Sequence, residues 1–315
     1  MVNITTTSSR RTEMSDLAEK VKTSIKRLQA FEPVEGYRLA FSGGKDSVVI
    51  KALAEMANIK YTPVYRLTSV DPPELVRFIK KCSDVTIEIP RDNDGNQITM
   101  WNLIVKQGMA PTRTMRFCCK QFKETSCDGE LVVTGVRWAE SYNRTQNQGA
   151  VTIAGKGMKP EDIGDDGTQS KTTRRGGLVL NYDNDESARM DAQCYRTNKT
   201  LVNPIIDWED SDVWGFIRGE GVPYCELYDE GYKRLGCIGC PMQTTKERFK
   251  NFGRWPTYKI AYMHAFERMI QRRKERGKPI KRVTTAEEYF HWWIEDGVLP
   301  GQTDLFGEID ELEDV

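Results

Sequence analysis

The chain has 315 residues, with 46 basic and 46 acidic side chains and a formal net charge of zero. That length suits one large α/β domain with a helical appendage. The charge balance excludes binding of nucleic acid by global charge, though it leaves room for a local basic face. No apolar run of about 18 residues occurs, which excludes a transmembrane helix. Met1 to Thr12 is polar and rich in Thr and Ser, without the apolar core of a secretory signal, so it is expected to be a frayed tail of a cytoplasmic protein. Eight cysteines in such a chain point to metal ligands or catalytic groups before disulfides.

Taken in chain order, Met14, Leu17, Val21, Ile25 and Leu28 recur at helical spacing and predict a helix over 14–31. Tyr37 to Phe41 is a short apolar strand that runs into Ser42-Gly43-Gly44-Lys45-Asp46-Ser47. The helix after that loop has Val49, Leu53 and Met56 on one face. Thr62 to Leu67 is a second strand. Asp71-Pro72-Pro73-Glu74 is a helix start, with Asp71 as N-cap and Glu74 in the capping-box position. Val85 to Ile89 and Leu131 to Val136 are a third and a fourth strand. Strands alternating with helices predict an α/β fold, a Rossmann-like parallel sheet with helices on both faces. Residues 145–200 are polar and predict a long, partly mobile insertion, with a lid as one reading. Asp210 or Ser211 caps a helix carrying Val213, Trp214 and Ile217. Residues 244–275 are helical with a break at Pro256, and 285–295 form a last aromatic helix. The expected organisation is an N-terminal helix (1–35), a loop-bearing domain (36–245), a C-terminal helical region (246–300) and an acidic tail (301–315).

Strand, SGGKDS and helix together make a phosphate cradle. Gly43 and Gly44 let the backbone approach an anion, and the helix N-terminus presents N–H groups to it. Ser42 and Ser47 donate hydroxyls, and Lys45 adds a full charge. Asp46 repels a bare anion, and so suits holding Mg2+ or orienting the loop. A plain glycine-rich turn would explain the glycines but not the residues around them.

SGGKDS resembles the PP-loop signature of the ATP pyrophosphatase superfamily. Thr68 to Glu74 (TSVDPPE), Gly135-Val136-Arg137 with Glu140-Ser141 and Arg144, Asn203 to Trp208 with Asp212-Val213-Trp214, and Leu227-Tyr228 through Gly236-Cys237 resemble successive motifs of its phosphoadenylyl-sulfate reductase-like branch. The resemblance implies an adenine-nucleotide alpha-hydrolase-like fold. It also implies nucleotide contacts by Ser42, Gly43, Gly44, Lys45, Asp46, Ser47, Thr68, Gly135, Arg137 and Arg144, with Lys45, Asp46 and Arg137 catalytic.

Cys118-Cys119 and Cys237-x-x-Cys240 make a quartet of soft ligands that suits Zn2+ or an iron–sulfur cluster. Adjacent cysteines fit a single tetrahedral ion poorly, whereas a cubane spreads its ligands over several irons. The same pattern resembles the [4Fe–4S] motif of adenylyl-sulfate reductases. Cys82, Cys127, Cys194 and Cys225 are expected to be ordinary thiols, with Cys194 the candidate among them for a reactive one. Arg113, Arg116, Lys120 and Lys123 cluster around the cysteine pair; the resemblance implies that Lys120 or Lys123, with Arg137 and Arg144, faces the substrate's anionic groups, and a solvated basic face is the other reading. Arg174-Arg175 and the run from Arg272 to Arg282 are solvated basic faces or a site for a nucleic-acid or protein partner. His264 and His291 are expected to be packed or capping residues.

Two enzyme readings follow. A sulfonucleotide reductase of this branch attacks sulfur with a cysteine near the C-terminus, and no cysteine follows Cys240 in this sequence. The alternative resembles the DndC-like sulfurtransferases of DNA phosphorothioation. Such an enzyme uses ATP and Mg2+ to adenylylate an acceptor, releases pyrophosphate, and takes sulfur from a cysteine desulfurase partner. DNA, RNA or a small molecule is the acceptor. A third reading, of a different class, is a non-catalytic nucleotide or nucleic-acid binder with a structural metal site. The sequence favours the sulfurtransferase.

Overall fold

The computed structural model describes residues 5–124, 130–154, 159, 161, 170–174, 176–180, 200–280 and 283–295. Cys127, Cys194, Arg175, Lys281, Arg282 and the acidic tail lie outside the described residues. The chain divides into two compact units, made of residues 1–65, 74–88 and 126–235, and of residues 66–73, 89–125 and 236–315. The split is interleaved along the sequence.

The first unit is built on an eight-stranded sheet of order β3-β2-β1-β4-β8-β5-β7-β6. Its strands are β1 (Tyr37–Ala40), β2 (Tyr61–Arg66), β3 (Thr86–Glu88), β4 (Leu131–Val133), β5 (Val151–Ile153), β6 (Ser170–Thr172), β7 (Leu178–Leu180) and β8 (Thr200–Val202). β1 pairs in parallel with β2 and β4, and β4 with β8, which is the α/β arrangement expected from the alternating pattern. Leu131, Val132 and Val133 are all buried, as a central parallel strand covered on both faces requires.

The expected insertion adds to this sheet. β5 runs antiparallel to β8, β7 to β5, and β6 to β7. Val151, Ile153 and Leu178 to Leu180 are buried. These are three-residue strands set in polar sequence, too short to give a periodic signal.

Helix α1 (Thr5–Ala30) begins well before the expected residue 14, so the presumed frayed tail is helical from Thr5. Its Arg27 forks onto Asp207 at 2.8 and 3.0 Å and donates to the Pro204 carbonyl, while Ser24 donates to that carbonyl and accepts from the Trp208 indole. α2 (Lys45–Met56) follows β1 and buries Val49, Ile50 and Leu53. α3 (Pro73–Lys81) starts two residues beyond Asp71, and the Asp71 carboxylate accepts from Thr68 Oγ1 at 2.8 Å instead of serving as the expected N-cap.

In the second unit, α4 (Met100–Gln107) is capped by Thr99, and a short helix α5 (Phe117–Cys119) runs into a π-helical turn over Lys120–Glu124. The sequence reading had missed α4. In the first unit, a 3-10 turn (Trp138–Glu140), α6 (Tyr142–Asn147) and α7 (Asp210–Gly219) follow β4 and β8. The N-cap of α7 is Glu209, in a capping box with Asp212, which leaves Asp210 free for another use.

The second unit closes with α8 (Thr245–Arg254), α9 (Pro256–Glu275) and α10 (Ala286–Ile294). Pro256 opens α9, where the missing N–H costs nothing. An aromatic core of Phe252, Tyr262, Phe266, Phe290 and Trp293 joins the three helices, with ring centroids 4.8–6.2 Å apart. Arg248, fully buried, lies over the Trp293 ring at 4.4 Å and donates to the Trp293 and Ile294 carbonyls, completing the end of α10. Among the described residues no helix is long and apolar enough to cross a membrane.

Candidate functional site

The loop between β1 and α2 sits in the first unit. Gly43 has φ +71°, and a Cβ there would stand 2.7 Å from Leu75 Cδ1 and 2.8 Å from Ile79 Cγ1, so the turn requires glycine. Gly44 is the N-cap of α2 and offers no side chain to close its N-terminus. Ser47 Oγ donates to the Gly44 carbonyl at 2.8 Å and fixes the loop's exit. The Gly44 amide points at Ser42 Oγ, 3.4 Å away.

Lys45, Asp46 and Arg137 come together. Arg137, 2% exposed, donates through Nε to Asp46 Oδ1 at 2.7 Å and through NH2 to Asp210 Oδ1 at 2.6 Å. Its NH1 donates to the Trp208 carbonyl at 3.1 Å. Lys45 Nζ lies 3.3 Å from Asp210 and 3.6 Å from Asp46. Burial works against the Arg137 charge, but the two carboxylates outweigh it and raise its pKa. Asp210 responds in the opposite sense. Partial desolvation is more than offset by Arg137 and Lys45, which hold the carboxyl below its ordinary range. A Cβ at Gly135 would stand 2.9 Å from Asp46 Cβ, so the strand end approaches α2 closely at that point.

Arg144 pairs with Glu140, and Arg234 reaches the same carboxylate at 3.4 Å. Burial, together with the Arg234 charge, lowers the Arg144 pKa despite Glu140. Asp210, Tyr228 and Arg234 were not singled out as site residues from sequence. Tyr228 accepts the Lys45 amide N–H at 2.8 Å, at the start of α2. Its place in the Leu227-Tyr228 motif was visible, but not its contact 183 residues away.

Thr68, expected to touch nucleotide, belongs to the second unit. It donates to Asp71 and accepts from the Val70 amide, and Cys237 Sγ lies 3.9 Å from its Oγ1. The cysteine quartet is in the same unit. Cys237 and Cys240 flank a turn in which Gly239 has φ +73°, and a Cβ there would stand 2.7 Å from Phe252 and 2.9 Å from Trp293. The Ile238 amide donates to the Val70 carbonyl at 2.7 Å, and Tyr262 donates to the Ile238 carbonyl. Its hydrogen bond with Cys119, burial, and the charges of Cys119, Cys237 and Cys240 together push the Cys118 thiol far up. Burial lifts Cys237 to about 12, with Lys123 pulling the other way. Lys123 is raised in turn, by Cys237 above all. The four thiols thus share one neighbourhood. Among the described residues, however, no three His, Cys, Asp or Glu side chains are grouped as tightly as a single metal ion needs.

Of the other predicted residues, Cys82 and Cys225 have thiol pKa values raised by burial, as expected of unreactive thiols. Arg113 donates to the Gln243 carbonyl, and Arg116 precedes α5 as its N-cap. Arg272 and Arg273 are tied to carbonyls of Val105 and Gly108. His264 and His291 are exposed, so of the packed or capping roles expected the packed one does not hold, while His291 lies in the last turn of α10, where a basic group suits the helix end. His264 lines an open groove of about 710 Å³ between α9 and the start of α10, which includes none of the predicted site residues.

The phosphoadenosine phosphosulfate reductase domain family matches residues 36–243. An uncharacterized protein of Methanocaldococcus jannaschii is 27% identical over 213 residues, which cover 66% of this chain and 42% of that protein. The adenosine 5'-phosphosulfate reductase of Oceanobacillus iheyensis is 43% identical over 60 residues, 19% of this chain and 25% of the enzyme. The matched regions thus span less than half the length of these relatives. Among solved structures, phosphoadenylyl-sulfate reductase from Candida auris aligns over 70% of this chain and 93% of its own, at 15% identity and TM-score 0.38. The FMN adenylyltransferase of Candida glabrata aligns over 71% of this chain and 64% of its own, at 16% identity and TM-score 0.39. With a family match that takes in the loop, the Arg137 motif and both pairs of cysteines, the chain belongs to the phosphoadenosine phosphosulfate reductase domain family.

Proposed function

We propose that the chain is an ATP-dependent sulfurtransferase of the DndC-like kind, which adenylylates an acceptor, releases pyrophosphate and then exchanges AMP for sulfur. The observation that carries this reading is the knot of Lys45, Asp46, Arg137 and Asp210 beside the helix N-terminus. Arg137 and Lys45 are balanced by Asp46 and Asp210, so the cradle holds little excess positive charge for a metal-free anion. The two carboxylates suit a pyrophosphate chain that arrives with Mg2+. Asp46 and Asp210 would hold Mg2+, which offsets the phosphate charge. Ser42, Gly44 and Lys45 bind the β- and γ-phosphates, and Arg137 acts as a positioning residue that fixes both carboxylates. An acceptor oxygen attacks the α-phosphorus, the α–β bridge breaks, and pyrophosphate leaves. The outer sulfur of a persulfide, delivered by a cysteine desulfurase, then displaces AMP to give a disulfide with the acceptor, and attack by a second thiol on the donor's sulfur leaves one sulfur on the acceptor and a disulfide between the two thiols.

Cys118, Cys119, Cys237 and Cys240 would be the ligands of a [4Fe–4S] cluster in this reading, because the adjacent pair Cys118-Cys119 suits a single tetrahedral zinc ion poorly. Such a group, when bound, would supply soft sulfur chemistry or hold the pocket's shape. The short stretch of likeness to adenosine 5'-phosphosulfate reductases favours a second reading, reduction of a sulfonucleotide. Incubation with ATP and Mg2+, with duplex DNA or with tRNA, separates the two. Pyrophosphate release stimulated by one nucleic acid is expected. Sulfite formed from adenylyl sulfate and a thiol, without pyrophosphate from ATP, would establish the reductase in its place.

A further inference from the structure

The Lys45 amide is the first N–H of α2, where an anion would bind, and the Tyr228 hydroxyl already meets it at 2.8 Å. A phenol oxygen that accepts this N–H still carries its own proton to donate. Burial raises the Tyr228 pKa, so the proton stays on oxygen at neutral pH. The hydroxyl is also placed over the loop. A Cβ built on Gly44 would lie 3.5 Å from Tyr228 OH and 3.4 Å from Ser42 Oγ, so the two hydroxyls converge on the open face of that glycine.

The ring is braced from outside the loop. Trp214 packs edge-on to it with centroids 5.2 Å apart, Tyr224 with centroids 6.3 Å apart, and Trp214 and Tyr224 pack on each other. Trp214 stands four residues after Asp210 on α7, so both lie on one face of that helix. One short helix therefore sets the carboxylate beside Lys45 and the ring that supports Tyr228.

We infer that Tyr228 is a phosphate-binding residue, whose hydroxyl, aligned by the Lys45 N–H, donates alongside Ser42 to the pyrophosphate moiety of the nucleotide. This rests on the nucleotide reading given above. A neutral donor suits the place. It adds a hydrogen bond to the phosphates without further charge next to Lys45 and Arg137, and it is held by rings with little freedom to lose on binding.

The test measures affinities of Mg2+-pyrophosphate, a non-hydrolysable ATP analogue and AMP for the full chain by calorimetry. Tyr228→Phe keeps the ring packing and removes only the hydroxyl. It is expected to weaken pyrophosphate and the ATP analogue by roughly tenfold or more, the range for a hydrogen bond to a charged group, with AMP unchanged. Tyr224→Phe, which alters the same ring cluster but a hydroxyl bonded to Asp229, leaves all three unchanged. Unaltered pyrophosphate binding in Tyr228→Phe overturns the inference. Tighter binding also overturns it, since the phenol would then be blocking the amide. An equal loss for AMP shows general damage to the loop and overturns it as well. A wild-type chain that binds none of the three ligands brings down the nucleotide reading and the inference with it, an outcome distinct from failure of the variant alone.

Discussion

The loop of the first unit and the cysteine turn of the second are each built around one positive-φ glycine, yet they are held by opposite physics. At Lys45 and Asp46, which follow Gly43, charge does the holding. A buried guanidinium fixes two carboxylates, and a lysine completes the set. Around Gly239, aromatic packing does it, with Phe252, Tyr262 and Trp293 against the turn and the thiols driven towards their neutral form. Opposite charges fix each other in place before a ligand arrives. The first site is therefore preset by charge, and the second by packing around its turn.

The largest expected effect comes from breaking the charged site. Arg137→Ala leaves the Lys45 ammonium alone to balance both Asp46 and Asp210. Asp210 is well exposed, so the cost is discounted from the buried-pair range to about 2–3 kcal/mol. Pyrophosphate release is expected to fall by at least about a hundredfold, as removal of aligned electrostatic groups does. Chemical denaturation and a pyrophosphate assay check both; retention of near-wild-type release would show that Arg137 positions nothing.

Next come the two glycines. Gly43→Ala forces a Cβ into Leu75 and Ile79 at a φ that alanine resists, for a loss of about 1–3 kcal/mol and weaker ATP binding. Gly239→Ala meets Phe252 and Trp293 in the same way. It is expected to lower iron and sulfide content after anaerobic reconstitution while leaving ATP affinity within about twofold, as for independent sites. If Gly239→Ala weakened ATP as much as Gly43→Ala does, the contrast between the sites would collapse. Cys237→Ser with Cys240→Ser sharpens the same point. Reconstituted protein should lose its visible absorption, with nucleotide binding kept. A colourless wild-type protein loaded with zinc would remove the cluster from the account.

The smallest effect is a pH dependence. Asp210 is held below its ordinary pKa in the folded chain, so its contribution is full above the unfolded carboxyl value near 3.8 and fades as pH falls through the lowered folded value. Denaturation midpoints measured between pH 6 and pH 3 should drop less steeply in Asp210→Asn than in the wild type. Parallel curves would mean that Asp210 gains nothing from Arg137.

What the sequence revealed was local. SGGKDS, its flanking strand and helix, and the break at Pro256 are each written within a dozen residues, and the structure places them as expected. β5, β6 and β7 were missed because three residues in polar surroundings carry no periodic signal, and pairing with neighbouring strands supplies what their own sequence does not. Asp210 read as a helix cap because its type and position allow either role, and only Arg137, 73 residues away, decides between them. Tyr228 was quoted in a motif for its letters, while its meaning depends on the Lys45 amide across the fold. The cysteines were legible as a set from adjacency and spacing, but their state depends on burial that no spacing encodes.

The most direct test of the central claim is isotope exchange of labelled pyrophosphate into ATP, measured with Mg2+ and either duplex DNA or tRNA. Reversible adenylylation predicts label in ATP that depends on the nucleic acid and disappears in Lys45→Ala. No exchange with either acceptor, together with sulfite formed from adenylyl sulfate, would contradict the account.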